Sequence, residues 1–141
     1  MPLDLTGKRV LLLGAENDLG RAIAAALAEA GARLALVGAT NDAETAFAVQ
    51  RLARKLSAET SQAIDATNEM AVRVMVRQVA KALGGLDGVV CILAPGKSAV
   101  LDLTQRQAQR EFARAGVTGA FIVAGPDATP NSVVAALAAP A

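Results

Sequence analysis

The residues best placed for chemistry are two glycines in the first quarter of the chain. Gly14 follows an apolar run from Val10 to Leu13, and Gly20 comes six residues later, within a segment whose apolar residues recur at helical spacing. A strand that ends in a glycine turn and leads into a helix directs backbone N–H groups and the positive end of the helix dipole at one point. This pattern predicts an anion site suited to a pyrophosphate. The alternative is that the glycines serve only the turn and close helix packing.

Two acidic residues complicate this turn. Asp18 has two interpretations, and the first is that it caps the helix, which is worth about 1 kcal/mol. In the second it faces the anion, where charges ~5 Å apart at an effective dielectric of ~20 repel by roughly 3 kcal/mol. We favour the cap, because Asp18 lies one residue before the apolar period begins. Glu16 adds a second negative charge to the turn.

The elements that position this turn follow from the alternation of apolar runs and helical periods. The predicted strands are at about 9–14, 33–38, 59–64, 88–93 and 119–125, and the predicted helices are at about 18–30, 42–56, 68–83, 104–115 and 131–138, with a loop at 97–103. Asn41 or Asp42 is expected to cap the second helix and Thr67 the third. The run at 119–125 suits a strand or a helix, and Gly125-Pro126 favours the strand. The whole predicts one α/β domain over 1–141, with helices on both faces of a parallel sheet ordered 3-2-1-4-5.

Composition limits the function classes. The chain has 141 residues, of which 53% are hydrophobic and 19% charged, so it is expected to fold as a globular protein. A net charge of +1 gives no electrostatic reason to expect nucleic acid or an anionic membrane as a partner. The lone Cys91 is expected to be a small buried apolar residue and, with no signal-peptide pattern, favours the cytoplasm.

Four motifs in chain order resemble the short-chain dehydrogenase/reductase family. They are Leu5-Thr6-Gly7-Lys8-Arg9-Val10, the glycine turn from Gly14 to Ile23, Ile64-Asp65-Ala66-Thr67, and Gly85-Leu86-Asp87 with the strand after it. The resemblance covers about residues 3–96 and, more loosely, Phe112 to Val123. It implies a Rossmann-like three-layer sandwich of about five parallel strands that binds a nicotinamide dinucleotide.

The resemblance also implies where a dinucleotide would lie: across the glycine turn, with its ribose at Gly38 and its adenine near Asp65. The implied cofactor-binding residues are Gly14, Glu16, Asn17, Asp18, Leu19, Gly20, Gly38, Asp65 and Ala94. With Glu16 present and no Arg nearby, NAD or a smaller adenine nucleotide is expected in preference to NADP. The alternatives are that no dinucleotide binds and that Asp65 is only a loop carboxylate.

Departures from the family pattern bear on catalysis. Asp18 replaces the middle glycine of the turn, and Ile92-Leu93-Ala94-Pro95-Gly96 replaces the family's Asn-Asn-Ala-Gly. The family uses a Ser with Tyr-x-x-x-Lys, and this chain has no Tyr and no His. The resemblance therefore implies a truncated, catalytically degenerate member with no catalytic residue to assign. The alternative is an enzyme with another proton donor, such as Lys97 or Thr118, or one that acts within a larger complex.

The C-terminal half predicts an interaction surface. Its apolar residues outnumber what so short a region was expected to bury, namely Val100, Leu101, Leu103, Phe112, Phe121, Val133, Val134 and Leu137. Contiguous exposed apolar surface usually marks a contact site. We therefore expect a homodimer, with a complex with another subunit as one alternative and a monomer whose last helix covers the fifth strand as the other. Arg106, Arg110 and Arg114 are expected to form a solvated basic helix face.

Overall fold

The computed structural model describes residues 4–92, 98–125 and 127–138, and at residues 98–100 it describes the backbone alone. The strands are β1 (Arg9–Leu13), β2 (Arg33–Gly38), β3 (Thr60–Ala63), β4 (Gly88–Ile92) and β5 (Ala120–Ala124). The helices are α1 (Asp18–Glu29), α2 (Ala43–Leu56), α3 (Glu69–Leu83), α4 (Ser98–Ala115) and α5 (Pro130–Ala138). The predicted alternation of strand and helix is confirmed, including the strand at 119–125.

The five strands form one parallel sheet with the order β3-β2-β1-β4-β5, as predicted. Leu11 of β1 lies between Ala35 of β2 and Val89 of β4, and all three side chains are fully buried. Continuous apolar strands of this kind are typical of parallel sheets that are covered on both faces.

Alternate residues of each central strand supply two separate cores. Leu11 and Val89 face a core built with α3 and α4, whereas Val10 and Val90 face a core built with α1, α2 and α5. The period-2 alternation of strand side chains produces this division. The sheet is therefore the middle layer of three, and the carboxyl ends of β1, β2 and β4 lie together at one edge.

Two predicted helix caps are wrong by one residue. Asn17, not Asp18, caps α1, and its Oδ1 accepts the Gly20 N–H at 2.6 Å. Asn68, not Thr67, caps α3. Asp18 is instead the first residue of α1, where its carboxylate pairs with Arg21. In both cases the amide oxygen of Asn reaches the N–H three residues ahead, which is the bond that an N-cap provides.

The N-terminus of α2 agrees with one of the two predicted alternatives. Asp42 caps this helix, and its Oδ1 accepts the Thr45 N–H at 2.7 Å. This hydrogen bond lowers the pKa of Asp42 below its usual value, because it stabilises the ionised carboxylate.

The predicted loop at 97–103 is wrong where the structure describes it, because α4 already begins at Ser98. Thr104, which was expected to begin the helix, is fully buried within it, and Leu103 is 4% exposed. Leu103 and Thr104 are buried on the same side of α4 as Ala108 and Phe112, so the buried face of the helix begins before residue 104. Helix α4 packs against α3 along this face. Lys97 lies outside the described residues.

The predicted excess of exposed apolar residues at the C-terminal end is also wrong. Helix α5 packs against α1 and β5 and buries Val133, Val134 and Leu137 to 6% exposure or less. On the other face of the sheet, Leu103 and Phe112 are buried with α3. Leu101 and Phe121 are partly buried, and the side chain of Val100 is not described. The last helix covers β5 in the way that the monomer alternative expected.

At the amino ends of the strands, an ion pair between Arg9 and Asp87 joins β1 to the segment before β4. Arg9 donates from Nε to Asp87 Oδ2 at 2.8 Å, and its backbone N–H donates to the same oxygen at 2.9 Å. The side-chain hydrogen bond from Arg9 is the main reason that the pKa of Asp87 lies below its usual value. This pair lies at the opposite end of the sheet from the glycine turn.

Candidate functional site

A cleft of about 180 Å³ opens at the carboxyl ends of β1, β2 and β4. Its described lining consists of Leu13, Gly14, Glu16, Asn17, Ala39, Thr40, Ala66, Cys91, Ile92 and Leu101. The chain order of the strands reverses between β1 and β4, and open α/β sheets bind their ligands at this switch point. The cleft therefore has the position expected of a nucleotide site in such a sheet.

The glycine turn is held tightly against the sheet. A Cβ on Gly20 would lie 2.3 Å from the Gly14 carbonyl oxygen, and a Cβ on Gly14, whose φ is +101°, would lie 2.8 Å from Ile92 Cβ. The Gly14 N–H donates to the Val37 carbonyl at 2.8 Å. Both glycines are therefore required by the packing of the turn. The same close approach brings the N-terminus of α1, with Asn17, to the wall of the cleft.

Asp18 is directed away from this cleft. Its side chain is 95% exposed and pairs with Arg21 three residues later. The Arg21 guanidinium also donates to the Glu16 carbonyl at 2.9 Å, so it closes over the outside of the turn. Because Asp18 is paired and faces solvent, the repulsion considered from the sequence is small. Leu19 packs into the core beneath α1 and does not line the cleft.

Glu16 reaches from the turn to the end of β2. Its Oε2 accepts the Ala39 N–H at 2.7 Å, and its Oε1 is 3.3 Å from the same nitrogen. A Cβ on Gly38 would lie 3.2 Å from Glu16 Oε2 and 2.5 Å from Thr45 Cγ2, so glycine leaves room for this contact. Glu16 is the one charged residue among the described residues that line the cleft.

Asp65 follows β3, and its side chain accepts hydrogen bonds from the turn that follows it. Its Oδ1 accepts the Thr67 N–H at 2.9 Å and the Thr67 hydroxyl at 2.6 Å. The next residue, Ala66, lines the cleft, whereas Asp65 is not among the described residues that line it. Ala94, the remaining predicted cofactor residue, lies outside the described residues.

Of the two alternative proton donors, only Thr118 lies within the described residues, and it is not placed in the cleft. Thr118 lies before β5 and borders a second cavity, with Lys8 and Asp87, at the amino ends of the strands. The carboxyl ends of the same strands line the cleft, so Thr118 is at the wrong end of the sheet for chemistry there. The prediction of Thr118 as a donor is therefore wrong, and Lys97 is not described.

Cys91 forms part of the buried wall of the cleft. It is 1% exposed, and burial raises the pKa of its thiol to about 12. The thiol is thus protonated at neutral pH and packs as a small apolar group, as predicted. Over the described ranges, no cluster of three or more His, Cys, Asp or Glu side chains could hold a metal ion, and no helix is long and apolar enough to cross a membrane.

Residues 14–132 match a family model described as enoyl-(acyl carrier protein) reductase. The chain belongs to the short-chain dehydrogenase/reductase family. It is 38% identical over 86 residues to glucose 1-dehydrogenase of Gluconobacter oxydans, which is 60% of this chain and 32% of that one. It is 32% identical over 114 residues to the uncharacterized oxidoreductase YghA of Escherichia coli, which is 77% of this chain and 38% of that one.

Solved structures support the same assignment. A short-chain type dehydrogenase/reductase from Mycobacterium marinum has a TM-score of 0.67 and 29% identity, over 85% of this chain and 56% of that one. An enoyl-(acyl-carrier-protein) reductase from Anaplasma phagocytophilum, in complex with NAD, has a TM-score of 0.69 at 17% identity, over 87% and 55%. The second likeness shows the Rossmann-like fold alone. The family member described here spans about a third of the curated relatives and about half of these structures.

Proposed function

We propose that this chain is a single Rossmann-like dinucleotide-binding domain that performs no dehydrogenase chemistry by itself. The observation that carries the proposal is the cleft at the switch point, where the glycine turn and the N-terminus of α1 meet the end of β2. The sequence contains no Tyr and no His, so the family's proton donor has no counterpart in it. Asp18 faces solvent and does not line the cleft. Burial raises the pKa of the Cys91 thiol to about 12, so this thiol is a weak proton donor.

The residues present suit a dinucleotide. Gly20 allows the close approach of α1 to β1, and the N-terminus of a helix favours a pyrophosphate. The ribose would lie near Gly38 and Glu16, with the adenine near Asp65. When bound, the nicotinamide would supply a hydride acceptor or donor. Because Glu16 is negative and no Lys or Arg is among the described residues lining the cleft, NAD fits better than NADP.

The expected result for the wild-type chain is binding without turnover. Isothermal titration should give heat with NAD and weaker binding with NADP, because Glu16 repels a 2′-phosphate. A panel of alcohols and ketones with either cofactor should give no oxidation or reduction above background. Absence of heat with both dinucleotides would overturn the proposal of a cofactor site. Turnover that disappears in Lys97→Ala would instead favour the alternative of an oxidoreductase with another proton donor.

A second candidate function is self-association through the C-terminal half. Among the described residues β5 pairs with β4 alone, so its other edge is open. Val123 on this strand is 42% exposed, and Phe121 and Ile122 are partly buried. An uncharged edge strand is a template for pairing with another chain. We propose a cytoplasmic homodimer, with a complex with a different subunit as the alternative.

Light scattering over a dilution series tests the dimer. The wild-type chain should have the mass of a dimer, and Val123→Asp should have the mass of a monomer, because a carboxylate would have to be desolvated at the strand edge. Val74→Asp is the matched control, since Val74 is 45% exposed on α3. A monomer mass for the wild-type chain at every concentration would rule out the homodimer. An equal effect of both substitutions would rule out the β5 edge.

A further inference from the structure

The end of β2 lacks the acidic residue that dinucleotide-binding sheets of this type ordinarily carry there. That residue follows the glycine turn by about 20 positions and accepts a hydrogen bond from the ribose 2′-hydroxyl of NAD. Here the end of β2 reads Gly38-Ala39-Thr40, which has no carboxylate and no cation. The structure nevertheless places a carboxylate at this point, and it comes from Glu16 in the glycine turn.

We propose that Glu16 replaces the missing acid of β2. Its carboxylate would select NAD over NADP by accepting a hydrogen bond from the 2′-hydroxyl of the adenosine ribose. The inference rests on the proposed dinucleotide site and assigns its specificity to one side chain. A carboxylate in this position binds a hydroxyl and repels a 2′-phosphate, because both charges would have the same sign.

The geometry keeps Glu16 in place for this role. The Ala39 N–H donates to Oε2 at 2.7 Å, which ties the carboxylate to the end of β2. An ionised carboxylate has about four acceptor positions, so one donor leaves others for a ribose hydroxyl. The absence of a Cβ at Gly38 contributes as well, because a Cβ there would lie 3.2 Å from Oε2. Thr40 lines the cleft beside the same carboxylate.

The other acid of the turn provides a contrast. Asp18 is two residues away in the sequence, but its side chain is 95% exposed, pairs with Arg21 and does not line the cleft. Both residues carry one negative charge, so any effect of net charge alone would be the same for the two. Only Glu16 has the position that discrimination at the ribose requires.

The first experiment compares Glu16→Gln with Asp18→Asn by isothermal titration with NAD and NADP. Glutamine keeps the length of the side chain and an oxygen for the Ala39 N–H, and removes the charge. The ratio of NAD affinity to NADP affinity should fall by about tenfold or more in Glu16→Gln, because a charged hydrogen bond is lost and a repulsion is removed. In Asp18→Asn the ratio should stay within about twofold of the wild-type value, since an exposed paired charge contributes little.

The second experiment begins with the wild-type chain, where its result does not depend on whether a variant folds. A NAD analogue whose adenosine ribose lacks the 2′-hydroxyl should bind about tenfold more weakly than NAD, because Glu16 would lose its donor. In Glu16→Gln the same change of ligand should cost much less. Thermal unfolding with and without each ligand gives an independent readout of the same affinities.

The outcomes separate the two levels of the proposal. If the wild-type chain binds neither dinucleotide, the proposed cofactor site is overturned, and so is the proposed role of Glu16. If the wild-type chain binds NAD but its affinity does not depend on the 2′-hydroxyl, the site stands and the role of Glu16 is overturned. An NAD-to-NADP ratio that is equal in Glu16→Gln and the wild-type chain would overturn it in the same way.

Discussion

Gly20→Ala is expected to lower the free energy of unfolding by about 3 kcal/mol. The added Cβ would lie 2.3 Å from the Gly14 carbonyl oxygen and 3.0 Å from Ala15 Cα. Both neighbours belong to the backbone, so no side chain can rotate away and α1 must move off β1. Overpacking of this kind typically costs about 1–3 kcal/mol, and alanine regains up to about 1 kcal/mol of helix propensity over glycine. Because the contact is with backbone on two sides, we place the overpacking cost just above this range, at about 4 kcal/mol, which leaves a net cost of about 3 kcal/mol.

Urea denaturation followed by circular dichroism measures this loss, and Gly125→Ala is the matched control. A Cβ on Gly125 would meet no atom within 4 Å, and Gly125 has no positive φ. The control should therefore change the free energy of unfolding by less than about 0.5 kcal/mol. If the proposed dinucleotide site is correct, heat on addition of NAD should also be lost in Gly20→Ala, because the turn proposed to bind the pyrophosphate is displaced. A cost below about 1 kcal/mol would show that the turn yields easily and does not depend on this glycine.

The parts of this fold that sequence alone predicted are those set by local periodicity. Apolar runs such as Val10 to Leu13 are too short for helices and have no polar residues, which is typical of strands buried on both faces. Glycines such as Gly31 mark the ends of the helices between them. Alternation of these two signals limits the topology to a parallel sheet, and the observed strand order follows. The glycine turn was predicted in the same way, because Gly14 and Gly20 lie at the two ends of one local motif.

The parts that sequence missed depend on the direction of a side chain or on a distant contact. Asn17 and Asp18 both carry an oxygen suited to capping, and spacing alone does not say which of two neighbours points inward. The contact between Glu16 and the Ala39 N–H joins residues that are 23 positions apart, so no local pattern records it. The burial of Thr104 inside α4 likewise depends on tertiary packing, because Thr104 alone is a typical residue for beginning a helix.

The C-terminal helix illustrates the same limit. The number of apolar residues in the C-terminal half predicted an exposed surface. That prediction did not consider that a glycine in the sheet leaves space for a side chain from a helix. Gly88 begins β4, and a Cβ there would lie 2.6 Å from Leu137 Cδ2, so the leucine occupies the space that a side chain would need. Leu137 is 3% exposed as a result. The apolar residues of α5 thus stabilise the folded chain.

Leu137→Ala is accordingly expected to lower the free energy of unfolding by about 3 kcal/mol, within the range for large-to-small substitutions in a core. The substitution removes the branched carbons that lie on Gly88 and leaves a cavity between α5 and the sheet. The Leu137 carbonyl still accepts a hydrogen bond from Lys8 Nζ, so the end of α5 stays tethered while its packing is lost. Met70→Ala is the control, because Met70 is 64% exposed on α3, and it should change stability by less than about 0.5 kcal/mol.

The dependence on protein concentration distinguishes a core leucine from an interface leucine. If Leu137 lay between two subunits, the destabilisation measured by urea unfolding would vary with concentration, because association contributes to the stability of a dimer by mass action. We expect the difference between Leu137→Ala and the wild-type chain to be the same over a hundredfold dilution. Leu137→Asp should then unfold the chain rather than dissociate it, since it would bury an unpaired carboxylate beneath α5. A folded, monomeric Leu137→Asp variant would contradict the packing of α5 on the sheet and would instead support a position of this helix in the interface between subunits.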